Sequence, residues 1–282
     1  MENVMDTQRS TPRIAARAGR WTWRFLPVAA FLGATWAFSE PLDALPTTTL
    51  ALALVLGGWM PLWRAITTTD WKTPLQQWRT WEEREPLPIW PYLQPGTPGA
   101  ALHRALEHAR AWWRAVGAPT LSDPLRTALS ALVLSVLLSA VLGQTALLLS
   151  ALLLTCAELA ALWHEGKGRV GTGWDAVGWI GVPWLLGASL GGSISLVGGL
   201  SALAVTLLVG FQATPRAWAA VGPLLASTFL LWQGQPVAVG GVLLLAFPGW
   251  LLLLDSITPV RYHRAVAPWL LLMLLLIAGA LR

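Results

Sequence analysis

Long apolar runs separated by short polar breaks make up most of the 282-residue chain. A helix needs roughly 20 apolar residues to cross a bilayer, and most of the runs approach this length. The breaks carry glycine, proline, glutamine or charged side chains, which end helices and favour turns. The pattern predicts an all-α bundle of nine transmembrane helices, over residues 24–38, 45–63, 125–163 as two helices, 176–211 as two helices, 217–232, 237–254 and 263–281.

Three of these breaks are short and rich in glycine. Gly143-Gln144 divides the run 125–163, and Gly191-Gly192-Ser193 divides the run 176–211. Gln233-Gly234-Gln235-Pro236 separates the seventh predicted helix from the eighth. Glycine adopts turn conformations that other residues avoid, so we expect each break to reverse the chain direction.

A long polar block, residues 64–123, interrupts the pattern after the second run. Its charged side chains cannot enter hydrocarbon without a large desolvation cost, so the block must lie at the membrane surface or in water. Within it, residues 99–116 gather alanine, leucine and tryptophan on one face, which predicts an amphipathic helix lying on the membrane surface. Prolines between positions 86 and 98 predict an extended loop before that helix.

Composition agrees with a membrane protein. The chain is 55% hydrophobic and only 12% charged, whereas charged residues approach a quarter of a soluble domain. Cys156 is the single cysteine, so an internal disulfide is excluded. The net charge of +5 comes mainly from arginines in the loops, which favours contact with anionic membrane lipids over binding to nucleic acid.

The positive charges also predict the topology. If nine helices cross the membrane, every lysine and arginine except Arg282 falls on one side or at the helix ends on that side. The positive-inside rule assigns that side to the cytoplasm. We therefore expect a cytoplasmic arm over 1–23 that is not a cleaved signal peptide, a nine-helix domain over 24–282 in the cell membrane, and a C-terminus on the opposite side.

Two local stretches add to this topology. Arg84-Glu85-Pro86-Leu87-Pro88 follows the second predicted helix, and Gly166-Lys167-Gly168-Arg169 follows the fourth. Together with the nine helices and the glycine-bearing fifth helix (178–184), they make the chain similar to the UbiA superfamily of intramembrane prenyltransferases. The resemblance implies a UbiA-like fold and a transferase activity, in which a polyprenyl group passes from its diphosphate to a lipid-soluble acceptor. It also implies Mg²⁺ as the cofactor.

The sequence departs from this family at the aspartate-rich motifs that hold Mg²⁺. Near the first motif only Asp70 is present, and near the second the chain reads Gln212-Ala213-Thr214-Pro215-Arg216, without an acid. Hard carboxylate ligands suit Mg²⁺, so we assign no metal ligands. Two interpretations stay open: a divergent enzyme that uses basic residues on the diphosphate, or a non-catalytic protein, either a lipid- or quinone-holding subunit or a transporter-like bundle.

The candidate site residues follow from these interpretations. Cations that precede or follow the predicted helices on the cytoplasmic side are the candidate ligands of a prenyl diphosphate, namely Arg84, Lys167, Arg169 and Arg216. The positive-inside rule explains the same cations without a ligand. The catalytic residues are unknown, with Asp70 and Glu158 as candidates. Glu158 lies inside the fourth predicted helix, where an ionised group needs a partner or a path to the interface.

Overall fold

The computed structural model describes residues 25–39, 45–80, 97–163, 173–192, 194–212, 217–254 and 259–282. These ranges are helical and contain no strand. A short 3₁₀ turn, Ala217–Ala220, precedes the eighth helix. In chain order the helices are α1 Phe25–Phe38, α2 Leu45–Thr68, α3 Lys72–Thr80, α4 Pro98–Leu142, α5 Gln144–Trp163, α6 (173–189), α7 Leu196–Gln212, α8 Val221–Trp232, α9 Pro236–Leu254 and α10 Pro259–Leu281.

The three predicted glycine breaks are confirmed. α4 ends at Leu142, α6 ends before Gly191 and α8 ends at Trp232. The glycines at these positions have positive φ angles of 106° at Gly143, 133° at Gly192 and 73° at Gly234. Side chains with a Cβ rarely adopt such angles, so these glycines allow the chain to leave one helix and enter the next.

The polar block differs from its prediction. The expected surface helix over 99–116 and the expected third membrane helix from 125 belong to a single helix, α4, of 45 residues. At 1.5 Å per residue α4 is about 68 Å long, more than twice the hydrocarbon thickness of a bilayer. The amphipathic segment is therefore the N-terminal extension of an apolar helix. α2 also continues into the block as far as Thr68, and α10 starts at Pro259, before the predicted 263.

A π-helical turn before a proline explains how α4 stays continuous. Three helices contain a π-helical turn that ends two residues before a proline: Leu54–Trp59 before Pro61, Trp113–Gly117 before Pro119 and Val177–Gly181 before Pro183. A proline removes one backbone hydrogen bond and crowds the preceding turn. A wider π turn relieves both effects, as it does in membrane helices generally. The helix therefore passes through Pro119 without breaking.

Four of the described helices are long and apolar enough to cross a membrane: Leu45–Thr68, Pro98–Leu142, Gln144–Leu162 and Arg264–Leu281. Four more are apolar but have only 10–17 residues: Phe25–Phe38, Leu196–Gln212, Val221–Trp232 and Pro236–Leu252. This all-helical, apolar architecture is that of a membrane protein.

The buried side chains form two clusters that share helices α1 and α6. The larger cluster joins these two helices to α7, α8, α9 and α10, with Trp184 and Leu270 completely buried. The smaller cluster joins them to α2 and α5, with Trp59 and Leu153 completely buried. Because both clusters need α1 and α6, these two helices hold the two parts of the molecule together.

Close contacts fix the directions of several helices. Gly187 of α6 faces the backbone carbonyl of Phe31, and Gly191, just after α6, faces that of Phe38, so α1 and α6 run parallel. The Trp184 indole donates to Ser201 of α7 at 2.9 Å, while Gly181 faces Thr206, so α6 and α7 are antiparallel. Further contacts join α7 to α8, through Leu208 and Gly222, and show that α9 and α10 are antiparallel, through Gly241 with Leu276 and Gly249 with Val266.

One end of the molecule follows from these directions. The last turns of α2, α7 and α9 lie at the same end as the first turns of α6, α8 and α10. We call this the polar end, because Trp63-Arg64, Asp175, Gln212 and Tyr262 lie there. The opposite end carries Arg282, whose guanidinium lies 5.4 Å from the centre of the Trp36 ring.

Candidate functional site

The four predicted diphosphate ligands fall in segments outside the described residues. Arg84 lies between α3 and α4 in the sequence, Lys167 and Arg169 precede α6, and Arg216 follows α7. Their role therefore stays a prediction. Asp70 and Glu158, the two candidate catalytic residues, are both described.

Asp70 caps helix α3. It is exposed in the link between α2 and α3, and its Oδ1 accepts a hydrogen bond from the backbone N–H of Thr73 at 3.1 Å. Thr73 is the second residue of α3, and a carboxylate that accepts from a backbone N–H of the first turn is a usual helix cap. Hydrogen bonds from Thr73 lower the pKa of Asp70 below its ordinary value. A structural role thus accounts for this carboxylate.

Glu158 lies on the outer surface of α5. Its side chain is exposed, whereas Ala157 and Ala160 on the same helix are buried in the smaller cluster. The exposed neighbours Leu159 and Leu162 share its outward direction. α5 ends at Trp163, five residues later. Glu158 therefore faces away from the core. This position agrees with a glutamate whose side chain reaches the membrane interface.

The first polar contact at the polar end joins α2 to α6. The completely buried Trp63 donates its indole N–H to Asp175 Oδ1 at 3.1 Å. The Arg64 guanidinium carbon lies 4.9 Å from the centre of the Trp179 ring, which is cation–π geometry. Gly178 makes room for this arrangement, because a Cβ at that position would lie 2.6 Å from Trp63 Cζ3. We call these five residues the α2–α6 cluster.

The second polar contact joins α7, α9 and α10. Gln212, the last residue of α7, is completely buried, and the Tyr262 hydroxyl of α10 donates to its Oε1 at 3.5 Å. Burial raises the pKa of Tyr262 to about 12, so the phenol is protonated at neutral pH and can act as a donor. Gly249 of α9 lies against the same amide, since a Cβ there would lie 3.0 Å from Oε1. Gln212, Tyr262 and Gly249 form the Gln212 site.

The sequence pattern marks neither group as a site. Asp175 directly precedes the predicted run 176–211, and Gln212 opens the acid-free stretch at the second aspartate-rich motif. Asp175 and Gln212 each lie within one turn of an apolar run. A polar residue at this position is also typical of a solvated helix end, so the sequence gives only a weak indication of a site. The contacts arise between residues 50 to 112 positions apart, and no local pattern marks such pairs.

A metal centre has little support in the described part of the chain. Within it, no group of three or more histidine, cysteine, aspartate or glutamate side chains comes together. At the position that corresponds to the first aspartate-rich motif, the Asp70 carboxylate caps a helix. At the position of the second motif, the buried polar side chain is the neutral amide of Gln212. The described residues therefore do not fit the dinuclear Mg²⁺ site that the resemblance implies.

The polar end instead offers hydrogen-bond donors. Four of its buried N–H groups have no hydrogen-bond partner among the described residues: Gln212 Nε2, Trp179 Nε1, Trp250 Nε1 and Arg264 Nε. Buried N–H groups are seldom left unpaired, because their desolvation is costly. These groups make this end suited to a ligand that carries oxygen acceptors.

The fold and these two groups define the class as an all-helical membrane protein with a donor-rich polar end. No protein-family model, no curated protein and no solved structure matches this chain.

Proposed function

We propose that the chain is a UbiA-like protein that crosses the cell membrane nine times, with the polar end in the cytoplasm. The directions of the described helices support this topology, since the apolar helices α1, α2 and α4–α10 alternate between the two ends. The positions of the described arginines support it as well. Arg64, Arg261 and Arg264 lie at the polar end, while Arg282 lies at the other.

Reporter fusions test the topology. Fusions after Arg114, Arg169, Arg216 and Arg264 are expected to report the cytoplasm, and a fusion after Arg282 the opposite side. A cytoplasmic C-terminus means an even number of crossings and would refute both the nine-helix topology and the UbiA-like fold.

We further propose that the polar end binds a prenyl diphosphate and that the protein transfers the prenyl group to a lipid-soluble acceptor. The observation that carries this proposal is the donor-rich polar end, with Arg64 held over Trp179 in the α2–α6 cluster. In the reaction the bond between the prenyl C1 and the diphosphate oxygen breaks, and the diphosphate leaves with the electron pair. The acceptor forms a bond to C1 and releases a proton to solvent.

Positive charge must offset the leaving diphosphate. Arg84, Lys167, Arg169 and Arg216 are the proposed partners, because cations and N–H donors form strong charge-assisted hydrogen bonds to phosphate oxygens. This arrangement needs no dinuclear metal site. Mg²⁺ bound to the diphosphate itself would reduce its charge, without protein carboxylates as ligands.

A second function is a non-catalytic protein that holds a lipid or quinone at the same end. Asp70 favours it, since the remaining carboxylate of the first family motif is used as a cap of α3. A transfer assay with radiolabelled prenyl diphosphate and a lipid extract as acceptor separates the two functions. Incorporation of label into lipid supports the enzyme, and binding without incorporation supports the holder.

Binding itself is tested with a non-hydrolysable prenyl diphosphate analogue over a Mg²⁺ titration. We expect binding with little dependence on Mg²⁺, and the double variant Lys167→Ala/Arg169→Ala is expected to weaken it by about 2 to 4 kcal/mol. The matched control is Arg104→Ala/Arg110→Ala, which removes two cations from α4. Strong Mg²⁺-dependent binding that Asp70→Ala abolishes would contradict the proposal, and so would equal effects of the two double variants.

A further inference from the structure

The Gln212 site contains a buried amide that is only half satisfied. Gln212 is 0% exposed, and Oε1 of its amide accepts the Tyr262 hydroxyl. The other end, Nε2, has no hydrogen-bond partner among the described residues. Because the tyrosine proton is donated to the oxygen, the open end of the amide is a pair of N–H donors.

The described residues that contact this amide are uncharged. Tyr262 faces Gln212 from α10 and Gly249 faces it from α9, while Val266 lies beside Gly249. Arg264 follows Tyr262 by two residues, which places it about 200° further around the helix and away from this contact. Burying an anion without an opposing charge is very costly, whereas a neutral acceptor satisfies the amide at little cost.

We propose that the Gln212 site binds the carbonyl oxygen of a neutral, membrane-soluble molecule at the cytoplasmic ends of α7, α9 and α10. The Gln212 amide donates to that oxygen, and Tyr262 fixes the amide through its bond to Oε1, which leaves the N–H₂ group for the ligand. The carbonyl belongs either to a quinone ring or to the ester of a glycerolipid. This site needs neither Lys167 nor Arg169, so its failure would leave the diphosphate proposal standing.

The glycines of α9 supply a matched pair of variants. Gly249→Ala places a methyl group 3.0 Å from Gln212 Oε1 and must shift the amide, whereas nothing lies within 4 Å of a Cβ at Gly240. Both changes add one methyl group to the same helix. Only the first is expected to alter the site.

A second pair tests the amide. Gln212→Leu removes the donors with little change in volume. Ser227→Ala removes a buried hydroxyl of α8 that likewise has no hydrogen-bond partner among the described residues. It controls for the effect of deleting any unsatisfied polar atom from the core. The probes are a para-quinone with a decyl tail and a diacylglycerol with short chains, each tritiated and added to the purified full chain in nanodiscs.

We expect one of the two probes to bind, which identifies the source of the carbonyl. Gln212→Leu and Gly249→Ala are expected to raise its Kd about fivefold, as the loss of one hydrogen bond predicts, and the two controls less than twofold. Infrared spectroscopy of wild-type protein gives a measurement that needs no variant. The carbonyl stretch of the bound probe is expected below that of the probe in empty nanodiscs. Absence of binding by both probes, equal Kd values for Gln212→Leu and wild type, or an unshifted stretch would each overturn the proposal.

Discussion

Replacing Gly178 by alanine tests the packing of the α2–α6 cluster. The added methyl group would lie 2.6 Å from Trp63 Cζ3, well inside van der Waals contact, and Trp63 is completely buried. The indole must therefore move, which also strains its 3.1 Å hydrogen bond to Asp175. Neither the α6 backbone nor the Trp63 ring can yield without disturbing the smaller core cluster.

The expected loss of stability follows from three contributions. Overpacking a core costs about 1 to 3 kcal/mol, and weakening one hydrogen bond adds about 1 kcal/mol. Alanine regains about 0.5 to 1 kcal/mol over glycine inside a helix. Gly178→Ala should therefore destabilise the protein by about 1 to 3 kcal/mol. Gly240→Ala, with open space around its Cβ, should stabilise it by about 0.5 to 1 kcal/mol.

Unfolding by sodium dodecyl sulfate in mixed micelles, followed by far-ultraviolet circular dichroism, measures both free energies. The double variant Gly178→Ala/Trp63→Phe tests whether the two side chains are in contact, because the smaller phenyl ring leaves room for the methyl group. We expect the double variant to lose less than the sum of the two single losses. Equal stabilities of Gly178→Ala and Gly240→Ala, or strict additivity with Trp63→Phe, would refute the proposed contact.

Three further predictions concern single polar groups. Asp70→Ala should reduce amide protection in the first turn of α3, while Asp70→Asn should keep it, because asparagine also caps helices. The folded pKa of Asp70 lies below its unfolded value near 3.8, so this cap is fully formed above that pH and is lost as pH falls through the folded pKa. Ser150→Ala removes the acceptor of the Trp59 indole, 2.8 Å away, and should cost about 1 to 3 kcal/mol in the detergent assay. Ser201→Ala should cost a similar amount, since it leaves the buried Trp184 indole without its acceptor, whereas a change below about 0.3 kcal/mol would contradict either bond.

Helix breaks were predictable because a single local feature sets them. Gly143, Gly192 and Gly234 adopt positive φ angles that suit glycine, so the one-dimensional pattern contains the cause of each break. The continuity of α4 was not predictable in this way. Gly117, Pro119 and Pro124 suggest a break, and a π turn before Pro119 absorbs the strain.

The sites were harder to predict, because they depend on contacts between distant parts of the chain. Asp70 was a candidate catalytic residue, although its spacing of three residues from Thr73 already matched a helix cap. The Trp63–Asp175 bond spans 112 positions and depends on the lack of a side chain at Gly178. Hydrophobic periodicity assigns faces to helices but does not state which faces meet.

The position of α1 has a consequence for how the protein is made. This helix leaves the ribosome before α6 and α10, yet two of its close partners are Gly187 of α6 and Ala278 of α10. With only 14 residues, Phe25–Phe38 is short for a stable span and buries both Ala30 and Ala34 against neighbours that do not yet exist. Until synthesis reaches α10, these faces remain exposed to lipid or to the insertion machinery. A ribosome that stops before α10 therefore releases a chain in which α1 is incompletely packed.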